Sequence, residues 1–200
     1  MEPEREAIPH GDPLVLFDAW LAEAALSEPN DHNAMAVATA MPDGLPSVRT
    51  LQLKEHGPDG FVFYTNTGSR KGGEIRTNPH AALLFHWKSL HRQVRIEGPL
   101  EEVSAAMADA YFASRHPDSR LGSAASDQSH PLDSRKAYLD RVERLRAHHP
   151  DGGVPRPPHW TGFRLVPERI EFWLARPHRL HERRLFTRAG KSWTSTLLYP

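Results

Sequence analysis

Strand-like segments that follow one another without a helix between each pair predict a mainly β protein: an antiparallel barrel with peripheral helices at its ends. Three observations carry this expectation. Five strand patterns stand before residue 100, the first three joined by Asp-Gly turns. Residues 160 to 200 read as two hairpins, turning near Pro167-Glu168 and Ala189-Gly190. The helical patterns never alternate regularly with strands, which excludes a Rossmann-type parallel sheet.

Each element has a local reason. Asp12-Pro13 is an N-cap followed by an N1 proline, and Leu14, Phe17, Leu21 and Ala24 then recur at helical spacing, so a helix is predicted to end near Ser27. From Ala34 the period becomes that of strands: AMAVATAM, PSVRTLQLKE and FVFYTN form a meander. SRKGGEIRTN is polar and Gly-broken, which predicts a short helix stopped by Pro79, and HAALLFHW and HRQVRIEG then resume strand character. Glu101 to Arg115 carries Val103, Met107 and Tyr111 on one helical stripe, with Pro117 forcing a stop. GSAASDQSHPLDS reads as a loop, and the helix after it carries Tyr138, Val142 and Leu145. HHPDGGVPRPPHW is a connector.

The chain has 200 residues, 38% of them hydrophobic, enough for one core: a polar acidic arm over 1–12 and a single domain over 13–200. Formal charge is zero, so no surface-wide basic field exists to drive non-specific nucleic-acid binding. That zero hides a gradient. Residues 1 to 31 hold eight acids and one base, Arg5, for a net −7 that leaves +7 on the rest. Absence of cysteine excludes disulfides, a thiolate nucleophile and Cys-ligated metal, and suits a reducing compartment. No stretch approaches the length of a membrane span and the N-terminus lacks an apolar leader, so a cytoplasmic protein that binds no membrane is expected.

The positive charge is clustered. Arg49, Lys54, Arg70 and Lys71 fall within residues 49 to 71, and five arginines fall within residues 176 to 188 against Glu182 alone. For any one of these the ordinary reading is a solvated face. YTNTGSRKGG, however, follows a strand and opens a helix, where backbone N–H groups with Arg and Lys make a phosphate cradle. It is neither a P-loop nor a dinucleotide fingerprint. Tyr111 and Arg115 lie one helical turn apart, with Ser119 just past the Pro117 break, a ring, a guanidinium and a hydroxyl suited to an aromatic phosphate ester. From spacing alone the blander reading, a core tyrosine and a helix-end arginine, has more weight. Thirteen histidines include His178 and His181 around Arg179 and the adjacent His148-His149, and neither pair has an Asp or Glu at ligand spacing on a predicted helix, so no metal is expected. Neither a Gly-x-Ser-x-Gly elbow nor a paired-carboxylate site is present.

At these same residues the chain resembles a known family. RTLQLK (49–54), FYTNTGSRKG (63–72), LHRQVRIEG (90–98), YFASRHPDSRLG (111–122), DQS (127–129), VPRPPHWTGFRLVPERIEFW (154–173) and RLHERR (179–184) resemble the pyridoxine/pyridoxamine 5′-phosphate oxidases, in register from about residue 13 to 200. The resemblance implies an FMN-binding split barrel, a homodimer with FMN at the subunit interface. It implies FMN contacts at Arg49, Thr50, Leu51, Gln52, Leu53, Lys54, Tyr64, Thr65, Arg70, Lys71, Gln93, Gln128, Ser129, Trp173 and Arg183. Arg49, Arg70 and Lys71 would take the FMN phosphate. Substrate contacts are implied at Lys54, Tyr111, Arg115 and Ser119 around the substrate phosphate, and at Arg179, Leu180 and His181 over the pyridine ring, with Arg179 and His181 orienting C4′ and handling its proton. The implied reaction oxidises pyridoxine or pyridoxamine 5′-phosphate to pyridoxal 5′-phosphate, with dioxygen as final acceptor and hydrogen peroxide as product. The flavin then carries the electronic work, which accounts for the missing triad.

Three departures stand out. Family members read close to Gly-Ala-Trp-Ala-Ser where Gly122 to Ser126 stands here, His130-Pro131-Leu132 is unusual, and Leu197 to Pro200 replaces a basic ending. They keep open an FMN oxidase of another aromatic intermediate, as in phenazine pathways. A non-catalytic flavin-binding module is a third reading, since split barrels also serve as carriers, and Lys54, Tyr111, Arg115, Ser119, Arg179 and His181 argue against it. Lys54 favours the B6 phosphate, because phenazine-pathway relatives tend to lack this lysine. Arg49 and Lys54 are an odd number apart, so on a regular strand they would face opposite sides, and a bulge or strand end is required if both meet one cleft.

Overall fold

In the computed structural model, which describes residues 8–200, the first helix forms where the cap predicts. Leu14 N–H donates to Asp12 Oδ1 at 2.8 Å, and α1 runs Pro13–Ser27, burying Phe17, Trp20 and Ala24. The strands are β1 (Ala34–Ala40), β2 (Pro46–Gln52), β3 (Glu55–Gly57), β4 (Gly60–Asn66), β5 (His80–Trp87), β6 (Arg92–Glu102), β7 (Trp160–Leu165), β8 (Arg169–Leu174), β9 (Glu182–Ala189) and β10 (Ser192–Leu198). The helices are α2 (Arg70–Thr77), α3 (Ala105–Ser114), α4 (Pro117–Ala125) and α5 (Arg135–His148). All pairings are antiparallel.

One arm of the sheet has the order β10-β9-β8-β6-β5-β1-β2, and a second arm, β3-β4-β7, returns to β6. β6 belongs to both. Its residues 92–97 pair with β8 and its residues 100–102 with β7, so the sheet folds over at Gly98-Pro99. A Cβ on Gly98 would lie 2.0 Å from the Val166 carbonyl oxygen, so only glycine lets the chains approach at this corner. The result is an antiparallel split barrel. Its core is aromatic-rich: Phe17 meets Phe61 and Phe85 edge to face with centroids 4.9 and 5.2 Å apart, and Trp20 meets Phe172 at 5.1 Å.

Four expectations need correction. Residues 160 to 174 are no hairpin: β7 and β8 follow β6 antiparallel in succession, and Pro167, which has no N–H, marks a kink. Val166 and Glu168 on either side keep their bonds to Pro99 O and Glu97 O, both at 2.9 Å. The strand beginning at Pro46 breaks after Gln52, with β3 as a separate short strand. The helix expected from Glu101 begins at Ala105, capped by Ser104, because Glu101 and Glu102 still pair with β7. Gly122 to Ala125, expected to open a loop, instead close α4, which starts at Pro117 under a His116 cap, so Pro117 starts a helix as well as ending one.

Packing also reaches into the segment assigned to the acidic arm. Ile8 is 1% exposed within the core, and its carbonyl accepts from Arg184 Nε at 2.8 Å. Residues 1–7 lie outside the described residues. Among the described residues no helix is long and apolar enough to cross a membrane, and no three His, Asp or Glu gather as a metal site.

Candidate active site

The cavity at the split is built where the chain passes between the two arms. Leu53 N–H donates to Asn33 O and Lys54 N–H to Val62 O on β4, both at 2.9 Å, so the backbone leaves one arm and joins the other between these residues. This strand end resolves the parity of Arg49 and Lys54. Lys54 lines a cavity of about 420 Å³ with Leu51, Gln52, Tyr64, Thr65, Tyr111, Arg115, Ser119 and Gln128, whereas Arg49 stands apart from it over α2. Thr50 lies on the exposed side of the edge strand and Leu53 is buried in the core.

Aromatic rings form one wall. Tyr64 and Tyr111 stack with centroids 4.0 Å apart and planes 15° from parallel, and Trp160 continues the stack 5.2 Å from Tyr64. Arg115 ends α3 with its guanidinium 5.0 Å over the Trp160 ring and donates to Ser123 Oγ at 2.8 Å. Burial lowers the Arg115 pKa. Lys54 Nζ donates to Gln52 Oε1 at 2.5 Å. Burial, with the charge and hydrogen bond of Glu55, pushes the Tyr64 phenol up, and its hydroxyl donates to Glu55 Oε1 at 3.2 Å.

The start of α2 forms the second feature. Ser69 caps it, Lys71 Nζ donates to Gln128 Oε1 at 2.6 Å and to Ser69 Oγ at 3.2 Å, and Glu74 lies fully buried beneath. Arg70 Nε donates to Glu74 Oε1 at 2.9 Å, Arg49 sits 3.4 Å from Oε2, and Thr39 and Ser47 hydroxyls also donate there. Burial alone would raise the Glu74 carboxyl, but these hydrogen bonds and the Arg49 charge outweigh it and hold it at about 2. Burial and the Arg49 charge bring Lys71 down to about 8. Three cations thus share one carboxylate, an excess of positive charge suited to a phosphate. Ser129 is exposed with φ 73°, beside Gln128 but outside the cavity lining.

The remaining candidates lie elsewhere. Gln93, Trp173 and Arg183 form one row across β6, β8 and β9, in direct register. Arg183 Nε donates to Glu171 Oε1 at 2.7 Å and its Nη1 to Tyr199 O at 3.0 Å. The His181 ring lies 4.6 Å from Trp173, and Arg179 and Leu180 are exposed on the adjoining turn. None of these six lines the cavity of its own chain. Within one chain these six lie apart from the cavity.

Sequence reasoning missed Asn66, His116, Ser123, Ser126 and Trp160 in the cavity wall. Ser123 sits in the stretch that departs from the family pattern, which was its available signal. The lost tryptophan has a different address. Ala124 faces a groove against Arg141, Leu145 and His148 of α5, away from the cavity.

An antiparallel split barrel with a cationic helix start and an aromatic-walled cavity defines the class. The chain belongs to the pyridoxamine 5′-phosphate oxidase family: that family model matches residues 21–149, and the pyridoxine 5′-phosphate oxidase C-terminal dimerisation region matches residues 160–200. It is 67% identical over 203 residues to a pyridoxine/pyridoxamine 5′-phosphate oxidase of Novosphingobium aromaticivorans, covering 100% of both chains. It is 62% identical over 189 residues to the protein of that name from Gluconobacter oxydans, covering 94% of each. Among solved structures it superposes on PhzG from Burkholderia lata 383, in complex with tetrahydrophenazine-1-carboxylic acid, with TM-score 0.90 and 33% identity over 96% of this chain and 94% of that one. An FMN-binding protein from Nostoc punctiforme shares the fold at TM-score 0.75 and 20% identity, over 96% of this chain and 100% of that one.

Proposed function

We propose that the protein is an FMN-dependent oxidase that converts pyridoxine or pyridoxamine 5′-phosphate to pyridoxal 5′-phosphate. The observation that carries this reading is the cavity in which Lys54, Tyr111, Arg115 and Ser119 converge. Two cations, a hydroxyl and a stacking ring at one place suit a phosphate attached to a planar heterocycle. The names of the full-length relatives support the same substrate.

The donor set at α2 fits FMN: Arg49, Arg70 and Lys71 supply charge for its phosphate, the α2 N-terminus supplies backbone dipoles, and Gln128 closes over Lys71. When bound, FMN supplies a hydride acceptor that dioxygen reoxidises with release of hydrogen peroxide. The protein's own contribution is placement. Lys54, Arg115 and Ser119 anchor the substrate phosphate, the Tyr64–Tyr111–Trp160 stack excludes water from one side, and Arg179 and His181 orient the reacting carbon. Because the two half-sites are separate within one chain, a homodimer completes the site, with Gln93, Trp173, Arg183, Arg179 and His181 coming from one protomer and the α2 and cavity residues from its partner. The matched dimerisation region supports this arrangement.

The test is to load the protein with FMN and add pyridoxamine 5′-phosphate without oxygen. Bleaching of the yellow absorbance, followed by aldehyde and peroxide on admission of air, is the expected result. No reduction by this substrate or by pyridoxine 5′-phosphate overturns the reading. The structural likeness to PhzG motivates a second arm of the assay with a reduced phenazine carboxylate. Reduction by that compound alone moves the chain to the alternative substrate class, and a flavin that no substrate reduces favours a binding module.

A further inference from the structure

The turn carrying Arg179 and His181 has a backbone that must be held in place. His178 (φ 57°) and Arg179 (φ 63°) are consecutive non-glycine residues in the left-handed region, which persists only where the surroundings impose it. A chain of contacts from the protein interior does so. The N–H of Ile8, itself buried in the core, donates to Glu182 Oε1. The other oxygen, Oε2, accepts from Arg176 Nη2 at 2.6 Å. The backbone N–H of Arg176 donates to His181 Nδ1 at 3.3 Å. The Glu182 and Arg176 side chains are only 17% and 19% exposed, so water competes weakly for this pair.

The last bond sets the chemistry of the imidazole. A neutral ring has one donor and one acceptor nitrogen, and the bond made by one decides the role of the other. With Nδ1 accepting, the proton resides on Nε2, which hydrogen-bonds to no protein group among the described residues.

We propose that Glu182 is a positioning residue that, with Arg176 and the buried Ile8, holds the turn 176–181 so that His181 presents Nε2–H as a hydrogen-bond donor. His181 then orients the oxygen or nitrogen on the reacting carbon and does not act as the base that removes its proton. Only the identity of that group rests on the functional reading above. The anchor lies in the N-terminal segment, so residues far from the chemistry in sequence set the geometry of a residue that performs it.

Long-range proton–nitrogen correlation on histidine-labelled protein without substrate tests the tautomer, with His181 assigned by its loss in His181→Gln. The expected spectrum shows His181 protonated at Nε2, and a dominant Nδ1-protonated ring overturns the proposal. In stopped-flow reduction at saturating FMN, Glu182→Ala is expected to slow the bound-complex step roughly tenfold or more, with KM little changed and mixed His181 tautomers. Glu182→Gln, which keeps one accepting oxygen, restores part of both. An unchanged His181 spectrum and reduction rate in Glu182→Ala also overturns the proposal. If Glu182→Ala does not fold, the parent spectrum and Glu182→Gln still decide. Failure of B6 phosphates to reduce the parent flavin would count against the functional reading alone, since the tautomer is measured without them.

Discussion

Lys71 donates to Gln128 across 57 residues of chain, at 2.6 Å, and burial together with the Arg49 charge lowers its pKa to about 8. A lysine in this state is a receptor for negative charge. Below pH 8 it is cationic and repelled by Arg49, and a phosphate relieves that repulsion and raises its pKa again. Binding of FMN should therefore take up protons above pH 8 and weaken as pH rises from 8 toward 10. Flavin fluorescence titrations at several pH values will show this slope, and Lys71→Met should flatten it while lowering affinity at pH 7.

Folding stability of the ligand-free protein should show the same residue with the opposite sign. Between pH 8 and 10.5 Lys71 is neutral when folded and charged when unfolded, so the unfolded chain binds more protons and stability rises with pH through this window. Urea midpoints compared with Lys71→Met will isolate this contribution from the other titrating groups.

Glu74 underpins the cluster from below. Its carboxyl is held at about 2 against an ordinary 4.5, so its contribution is complete above pH 4.5 and is lost as pH falls toward 2. Glu74→Gln should cost about 3 kcal/mol at pH 7, because Arg49 and Arg70 lose the charge they share. The acid limb of the stability curve should flatten, as measured by denaturant unfolding.

Arg115 is carried on Trp160 and steered by Ser123. Arg115→Ala should raise KM for a B6 phosphate roughly ten- to hundredfold with little change in FMN affinity, as expected for loss of a charged hydrogen bond. Ser123→Ala should raise KM by a smaller factor. Steady-state kinetics beside flavin titration separates the two effects.

The two half-sites predict opposite phenotypes. Arg179→Ala and His181→Ala should slow flavin reduction roughly tenfold or more while FMN affinity changes by less than about twofold. Arg70→Ala should weaken FMN retention and leave the reduction rate of the loaded protein nearly intact. Equal flavin loss in all three variants would contradict the division of roles.

Element type was legible wherever local chemistry decides it. The Asp12 cap, the Asp-Gly turns and the short helix closed before Pro79 are properties of a few neighbouring residues, and all appear in the structure. The failures occurred where partners are distant. Whether Val166 to Glu168 turns back or kinks depends on Pro99 and Glu97 offering carbonyls on the other side. Pro117 reads as a stop from its preceding helix and as a start from its following one, and His116 supplies the cap that makes the second true. Ile8, in an acidic and polar arm, is buried in the core, with Glu182 accepting from its N–H and Arg184 donating to its carbonyl, partners more than 170 residues away.

The sequence by itself determined an antiparallel β protein and a short helix opening at the cationic Ser69–Lys71 segment, because these follow from strand and helix periods and residue types at short spacing. Spacing alone left the grouping of Tyr111, Arg115 and Ser119 open until the structure brought them to one cavity. Tertiary structure alone decided that Lys54 turns into the cavity while Arg49 turns to Glu74, and that Gln93, Trp173 and Arg183 align in a separate row. Those outcomes depend on the strand end at Gln52 and on the register between strands up to 90 residues apart, and both are set by closure of the barrel around its core.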